Sequence, residues 1–365
     1  MKQDSTVKVL QITSYPPPRA GWGIRVFYLK KEMEKKGYIC EVLNIGKSRF
    51  LKDRDFIPVF SGFDYVKKIL LYRLKGYKIH MHLNGDSPKG FILTILAELI
   101  SLLTFKRPII TFHAGPVQLY FPQFKAPYLT PIYRIIFHLP KFIICNNDEV
   151  KKNIMSYGIT GKKIMPIPAF SKQYLKFSQV KVSPEIEKIF NQHFPVIVSY
   201  IFLRPVYFIE DMLQAFYHVK QTYNNAYLIL MGSNKPENNE FEQYAQKNLQ
   251  LIKKFKLDDS IYFTGDLDHD SFLTLLSKSI LYLRTHIKDG VSSSVLEALS
   301  LNIPVVACEN GIRPESVITY KNGNIKEMVD KISYVIENNE AIRKNLTKPS
   351  IEDTVSKEIS LIKKA

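Results

Sequence analysis

Residues 281–315 read LYLRTHIKDGVSSSVLEALSLNIPVVACENGIRPE. An apolar strand, Ile280 to Arg284, leads to Asp289-Gly290, and the serines Ser292, Ser293 and Ser294 open a helix that runs to about Leu301. Pro304 begins the next strand, which ends at Cys308. Strand, turn, helix and second strand in this order make one unit of a parallel α/β sheet. The start of such a helix presents free N–H groups and the positive end of its dipole, where a diphosphate binds readily. Gly290 lets the backbone approach a ligand closely. Asp289 and Glu297, the latter expected in the helix's first turn, flank that anion site and can accept hydrogen bonds from sugar or ribose hydroxyls. Ser294 and Glu297 also spell S-x-x-E, a capping box that needs no ligand. Spacing alone leaves both readings open.

The same rhythm extends outward. Pro195–Tyr200, Ala226–Met231 and Ile261–Thr264 read as strands, with helices at Ile209–Tyr223, Glu240–Phe255 and Ser271–Ser279. The first half repeats the scheme, with strands at Val7–Ile12, Ile39–Asn44, Lys78–Leu83, Pro108–Phe112 and Phe142–Asn146. An amphipathic helix from Arg25 to Lys36 ends at Gly37. Doubly wound parallel sheets bind ligands at the carboxyl ends of their strands. A chain of 365 residues suits two domains of middling size, and the polar, irregular stretch Ser171–His193 separates them. The expected organisation is α/β, with two Rossmann-like domains at 1–190 and 191–345 whose parallel sheets face a central cleft. A charged helical tail, 346–365, is expected to pack back on the first domain.

Composition narrows the function. Hydrophobic residues make up 45% and charged residues 23%, the balance of a folded protein. The net charge of +17 is unevenly placed: residues 1–190 hold 31 Lys and Arg against 13 Asp and Glu, while residues 191–365 hold 20 against 21. A basic half beside a neutral half points to an anionic partner for the first domain, such as a membrane leaflet, an acidic polymer or a pyrophosphate-bearing lipid. Cys40, Cys145 and Cys308 form no CxxC pair and suit a reducing cytoplasm. No secretion leader is visible at the N-terminus. The apolar run Phe91–Phe105, interrupted by Glu98, falls short of the roughly 20 residues a spanning helix needs and reads as a buried or half-buried helix. His80-Met81-His82 puts two imidazoles on one strand face. No carboxylate or cysteine with ligand spacing accompanies them, so no metal is expected. There is no G-x-S-x-G, phosphate-loop or catalytic-cysteine signature. The aromatics follow core periodicity without a nucleic-acid-binding module, so nucleic acid is not an expected partner.

The stretch 281–315 resembles the donor-site motif of the retaining, two-Rossmann-domain glycosyltransferases of GT-B fold, glycosyltransferase family 4 (glycosyl transferases group 1) in particular. That motif has two acidic residues with seven between them, then EA(M/L)…G.PVVA and a glycine-rich turn before PE. Asp289 stands at the first acidic position and Glu297 matches the second. Leu299 to Ala307 follow the pattern with Asn302 in place of a common Gly, and Asn310-Gly311 and Arg313-Pro314-Glu315 occupy the turn and its close. The resemblance implies that Glu297 binds the ribose hydroxyls and that Asp289 holds hydroxyls of the transferred sugar. It also implies that N–H groups from Gly290 through Ser292, Ser293 and Ser294 receive sugar or phosphate oxygens.

Weaker likenesses lie elsewhere. IYFTGDLDHDSFLTLLSKSILYL, residues 261–283, resembles the family stretch that puts a glycine, here Gly265, near the nucleotide base. SYPPPRAGWGIRVFYLKKEMEKKGYICEVL, residues 14–43, resembles the family's first loop and helix, whose glycine pair, here Gly21 and Gly23, brings the backbone to the donor phosphate. TFHAG, residues 111–115, resembles T.HG and implies that His113 lies near the transferred sugar. One departure stands out. Where the family carries an Arg and a Lys against the diphosphate, SYIFLRPVYFIEDMLQAF, residues 199–216, offers Phe202 and Tyr207. Arg204 is close enough to act as a substitute clamp, since a guanidinium binds phosphate bidentately.

The function implied is metal-independent, retaining transfer of a sugar from a UDP- or GDP-sugar to a lipid-linked or anionic glycan acceptor, in cell-surface polysaccharide synthesis. His113, Asp289 and Arg204 form the expected catalytic group; Glu297, Gly290, Ser292, Ser293, Ser294, Gly265, Gly21 and Gly23 form the donor set. No cofactor beyond the nucleotide sugar is expected. The expected location is cytoplasmic, with peripheral contact to the anionic inner membrane face through the basic first domain. Two alternatives are a non-catalytic GT-B-like binding or partner subunit, favoured by Phe202 and Tyr207, and a sugar-nucleotide epimerase of the same fold.

Overall fold

Short β-branched and apolar runs cannot bury both faces unless helices cover them, and the chain satisfies this with two parallel sheets. The structure, a computed structural model, describes residues 6–16, 21–51, 55–114, 118–236, 239–287 and 289–365. The chain divides into two compact units, Met1–Tyr174 with Ile351–Ala365, and Leu175–Ser350.

The first unit runs β1 (Lys8–Thr13), α1 (Gly21–Lys35), β2 (Ile39–Asn44), β3 (Ile57–Pro58), α2 (Gly62–Leu74), β4 (Lys78–Leu83) and α3 (Pro88–Leu103). It continues with β5 (Ile109–Phe112), α4 (Thr130–His138), β6 (Phe142–Cys145), α5 (Asp148–Met155) and β7 (Ile164–Pro166). The strand order is β3-β2-β1-β4-β5-β6-β7, parallel throughout. The second unit runs α6 (Pro184–Gln192), β8 (Val196–Tyr200), α7 (Ile209–Thr222), β9 (Tyr227–Met231), α8 (Glu242–Lys254), β10 (Ile261–Phe263) and α9 (His269–Lys278). Then follow β11 (Leu281–Arg284), α10 (Ser293–Ser300), β12 (Val305–Cys308), β13 (Ile318–Tyr320), α11 (Ile325–Glu337) and α12 (Asn339–Asn345). Its order is β10-β9-β8-β11-β12-β13, again all parallel. Both sheets are therefore Rossmann-like, each reversing direction beside its first strand.

The units divide at Tyr174, inside the stretch Ser171–His193 and not at residue 190. Ile186 and Ile189 on α6 pack with Val196 and Val198 of β8, which assigns α6 to the second unit. A last helix, α13 (Thr354–Lys364), belongs to the first unit and buries Val355, Ile359 and Ile362 there. Its Glu358 receives Arg25 Nε at 2.8 Å and Nη2 at 2.7 Å, an ion pair exposed by only 1–2%. The first helix starts at Gly21, not Arg25. Gly21 and Gly23 thus sit in its first turn, where glycine costs little because the N–H groups there have no helical partner.

α3 carries the apolar run Phe91–Phe105, and no helix of the described residues is long and apolar enough to cross a membrane. Its Glu98 is fully buried with neither carboxylate oxygen hydrogen-bonded, and burial pushes its pKa up to about 9 against the pull of Lys163. The folded chain holds this proton while the unfolded chain releases it near pH 4.5. Stability must therefore fall as pH rises between those two values, by about 3 kcal/mol at pH 7. Glu98→Gln keeps the size and removes the titration. Its thermal midpoint relative to wild type is expected to climb from pH 5 to pH 8, and a pH-independent difference would contradict the assignment.

Candidate functional site

In the second unit the strand order reverses between β8 and β11, which puts the switch point where doubly wound sheets take ligands beyond Tyr200 and Arg284. α10 begins there. Its N-cap Ser292 has an extended backbone (φ −64°, ψ 129°) and makes no side-chain cap. Ser292 Oγ lies 2.9 Å from Ser294 Oγ, which accepts from the Tyr282 hydroxyl at 2.7 Å. The S-x-x-E capping box is therefore not formed: Ser294 is the second helical residue and Glu297 the fifth, beyond the first turn. The Ser292 side chain does not cap this turn, and the Val295 and Leu296 N–H groups reach the Ser292 carbonyl at 3.1 Å, which leaves those of Ser293 and Ser294 to face an anion. A Cβ built on Gly290 meets nothing within 4 Å and its φ is not left-handed, so the folded chain alone does not require glycine there.

Glu297 is buried, and burial pushes its carboxyl well above the usual carboxylate range. His269, the first residue of α9, places Nε2 3.5 Å from Glu297 Oε1. Gly265 lies past the end of the edge strand β10 with φ 69°, and its N–H donates to the Gly232 carbonyl at 3.1 Å. It opens the loop that carries His269 to Glu297.

Asp289 departs furthest from expectation. Its Oδ2 accepts from Arg284 Nε at 2.9 Å and Nη2 at 2.8 Å. Its Oδ1 meets Arg313 Nη2 at 3.0 Å and Asn310 Nδ2 at 3.3 Å. Arg284 also donates to the Tyr200 carbonyl at 3.1 Å and lies 5.1 Å from the Tyr207 ring centre. Arg313 donates to the carbonyls of His286 at 2.7 Å and Cys308 at 3.1 Å. Both oxygens of Asp289 thus serve two buried guanidiniums. Two cations share one anion, which leaves a net positive charge in the segment that feeds α10. Arg204 is exposed, its guanidinium 5.5 Å from the Phe202 ring and 5.7 Å from that of Phe241. Phe202 and Tyr207 meet edge to face at 5.8 Å, an aromatic contact where the family's Arg and Lys would stand.

In the first unit the order reverses between β1 and β4. A Cβ on Gly23 would stand 3.2 Å from the Ser14 carbonyl and from Pro16 Cδ, so the chain is tight at that point. His113 follows β5 and donates its backbone N–H to the Leu83 carbonyl at 2.7 Å. Its Nε2 lies 2.9 Å from His82 Nδ1, and His82 Nε2 lies 2.8 Å from Gln11 Oε1. The pattern assigns the tautomers: His82 donates to Gln11, His113 donates to His82, and His113 Nδ1 is left as the acceptor nitrogen. Burial holds both imidazoles well below their ordinary pKa, hence neutral at pH 7. The Trp22 ring packs edge-on against His113 at 5.1 Å. Pro17 to Ala20 of the first loop and Gly115 of TFHAG lie outside the described residues.

His80, His82 and Glu358 bring candidate ligand atoms within 4.8 Å of one another. Arg25 already neutralises Glu358, both His82 nitrogens are hydrogen-bonded, and His80 Nε2 lies 2.7 Å from Thr111 Oγ1. His80 Nδ1 and Glu358 Oε1 are buried without a hydrogen-bond partner among the described residues, so the Arg25 charge, not a lack of lone pairs, opposes a cation there. Sequence reasoning misses Arg284 and His269, and considers His82 only as half of a metal-ligand pair, not as the partner of His113. A signal for Arg284 is present, since an arginine closing the apolar strand LYLR must find a counter-charge once buried. Nothing in the sequence marks His269.

Residues 184–352 match the family model described as glycosyl transferases group 1. An uncharacterized glycosyltransferase of Methanocaldococcus jannaschii is 24% identical over 221 residues, covering 59% of this chain and 51% of its own length. The match thus spans about half of that relative. Among solved structures, a glycosyltransferase from Rickettsia africae superposes with a TM-score of 0.69 at 16% identity over 98% of both chains. Anabaena HepE in complex with UDP and glucose superposes with a TM-score of 0.65 at 16% identity, over 97% of this chain and 98% of its own. These likenesses establish the fold, which is GT-B, two Rossmann-like units in one α/β chain. The matched segment contains every strand of the second sheet, so the likeness to the glycosyl transferases group 1 model covers the second unit.

Proposed function

We propose that the chain is a retaining, metal-independent glycosyltransferase that binds a UDP- or GDP-sugar in its second unit. The observation that carries this reading is the uncapped start of α10 at the strand-order reversal, with buried Glu297 behind it. The helix start is suited to the diphosphate, and Glu297 to paired ribose hydroxyls. HepE, a neighbour in fold, is described in complex with UDP and glucose, which supports the nucleotide class. The net positive charge of the Arg284–Asp289–Arg313 cluster stands in for the absent Arg and Lys, stabilising the diphosphate as it leaves. Arg204 adds a second cation, and Asp289 acts by holding the two arginines. Neutral His113, held by His82, accepts a hydrogen bond from a sugar hydroxyl at Nδ1. The acceptor is a lipid-linked or anionic glycan, consistent with the basic first 190 residues.

The test is release of UDP or GDP from a panel of nucleotide sugars in the presence of a membrane lipid extract. One donor is expected to turn over, and His113→Ala should lower kcat by about 100-fold while leaving nucleotide Kd nearly unchanged. The aromatic pair Phe202 and Tyr207 favours one second reading, a non-catalytic partner subunit. Tight nucleotide binding with no release from any donor would select it.

A further inference from the structure

α2 and α3 pack side by side, joined by the Tyr65 hydroxyl donating to the Leu93 carbonyl at 2.8 Å. Their outer faces are not polar. On α2, Phe63, Lys67, Leu70 and Leu74 follow one another at i, i+4, i+7 and i+11, all exposed. On α3, Ile92, Leu99 and Leu103 fall on one stripe in the same way. The two stripes meet at their C-terminal ends, where Arg73 Nε donates to Thr104 Oγ1 at 2.9 Å. Leu74, Leu103 and Phe105 are there 72%, 78% and 95% exposed, beside the exposed cations Lys75, Lys106 and Arg107.

Phe105 is the informative residue. α3 ends in a turn in which Phe105 N–H reaches the Leu102 carbonyl at 2.8 Å and Lys106 N–H reaches the Ser101 carbonyl at 3.1 Å. The residue at that corner adopts φ 57°, a conformation that favours glycine. A phenylalanine there is sterically costly and leaves its ring in water, so neither folding nor solubility accounts for it. The polar rim commits the partner's charge. Over α2, α3 and residues 104–107 the only acids are Asp64, paired with Lys68 at 2.7 Å, and the fully buried Glu98. A second copy docking the same face across a two-fold axis would set these like charges against each other.

We propose that this face of α2, α3 and the Phe105 corner docks on an anionic lipid bilayer, with Leu74, Leu103 and Phe105 entering the headgroup boundary and Lys67, Lys75, Lys106 and Arg107 meeting lipid phosphates. It deepens the peripheral membrane contact expected from the basic first 190 residues and does not depend on the donor chemistry. The test is co-sedimentation of the full chain with vesicles of equal phosphatidylglycerol and phosphatidylcholine, against vesicles of phosphatidylcholine alone. Binding is expected only with the anionic vesicles. Phe105→Gly should weaken it by about tenfold or more, while its thermal midpoint stays at or above that of wild type because glycine suits the corner. A charge reversal, Lys106→Glu with Arg107→Glu, should abolish binding. No sedimentation of wild type with anionic vesicles, or binding unchanged by either variant, would overturn the proposal. A concentration-dependent dimer that Phe105→Gly dissolves would overturn it in favour of a second copy. Nucleotide affinity, measured on the same preparations, reports separately on the transferase reading.

Discussion

Glu297→Ala is expected to weaken nucleotide binding by about 10- to 100-fold, the loss of two hydrogen bonds to ribose hydroxyls worth about 0.5–1.5 kcal/mol each. The carboxyl is held inside the protein, where water does not reach it and its pKa is pushed up. Such a group lowers the stability of the empty fold, so its removal should leave the thermal midpoint of the unliganded protein unchanged or higher. A loss of affinity without a loss of stability then identifies Glu297 as a ligand-binding group. Glu297→Gln keeps the size and one acceptor oxygen, and should fall between wild type and alanine. Equal nucleotide affinity in all three proteins, read by calorimetry, would remove Glu297 from the donor site.

Glu358→Ala is expected to destabilise the chain by about 3–5 kcal/mol, because it strands the Arg25 guanidinium without a counter-charge in a site closed to water. The remaining acceptor is the Ile167 carbonyl at 3.4 Å, a long and weak contact. The thermal midpoint should drop by about 10 °C. Replacing both partners with apolar residues, Arg25→Met with Glu358→Leu, should recover most of the loss, since a well-packed apolar pair competes with a buried ion pair. A double variant as unstable as the single would mean that the loss comes from disturbed packing of α13 and not from the stranded Arg25 charge. A single variant as stable as wild type would mean that α13 is held mainly by its other contacts, such as Thr354 Oγ1 to the Phe170 carbonyl at 3.0 Å.

Much of the fold was legible because its strands are long and apolar. Ile39–Asn44 and Lys78–Leu83 are strands over the expected residues, and the interior helices lie within a few residues of their expected limits. Three edge strands, β3, β7 and β13, were not legible. They have two or three residues, pair on one side, and in Ile57–Pro58 and Ile164–Pro166 include a proline, which only an edge tolerates. The α10 turn was legible as an anion site from its serines and carboxylates, yet its competing reading as a capping box was equally legible. Only the positions of Tyr282 and Ser294 decide between them. The use of Asp289 by Arg284 and Arg313 depends on residues 5 and 24 positions away in sequence meeting in space, which no local pattern encodes. His82 behind His113 is hidden for the same reason, since β4 and β5 become neighbours only in the folded sheet.

Calorimetric titration of the wild-type chain with UDP, GDP, ADP and CMP and with their common sugars tests the donor site at α10. A uridine or guanosine nucleotide binding one-to-one, in the micromolar range and with its sugar conjugate at least as tight, is the predicted result. Absence of heat and of thermal stabilisation with every nucleotide at millimolar concentration would contradict a donor site at α10, and with it the assignment of transferase activity to this chain.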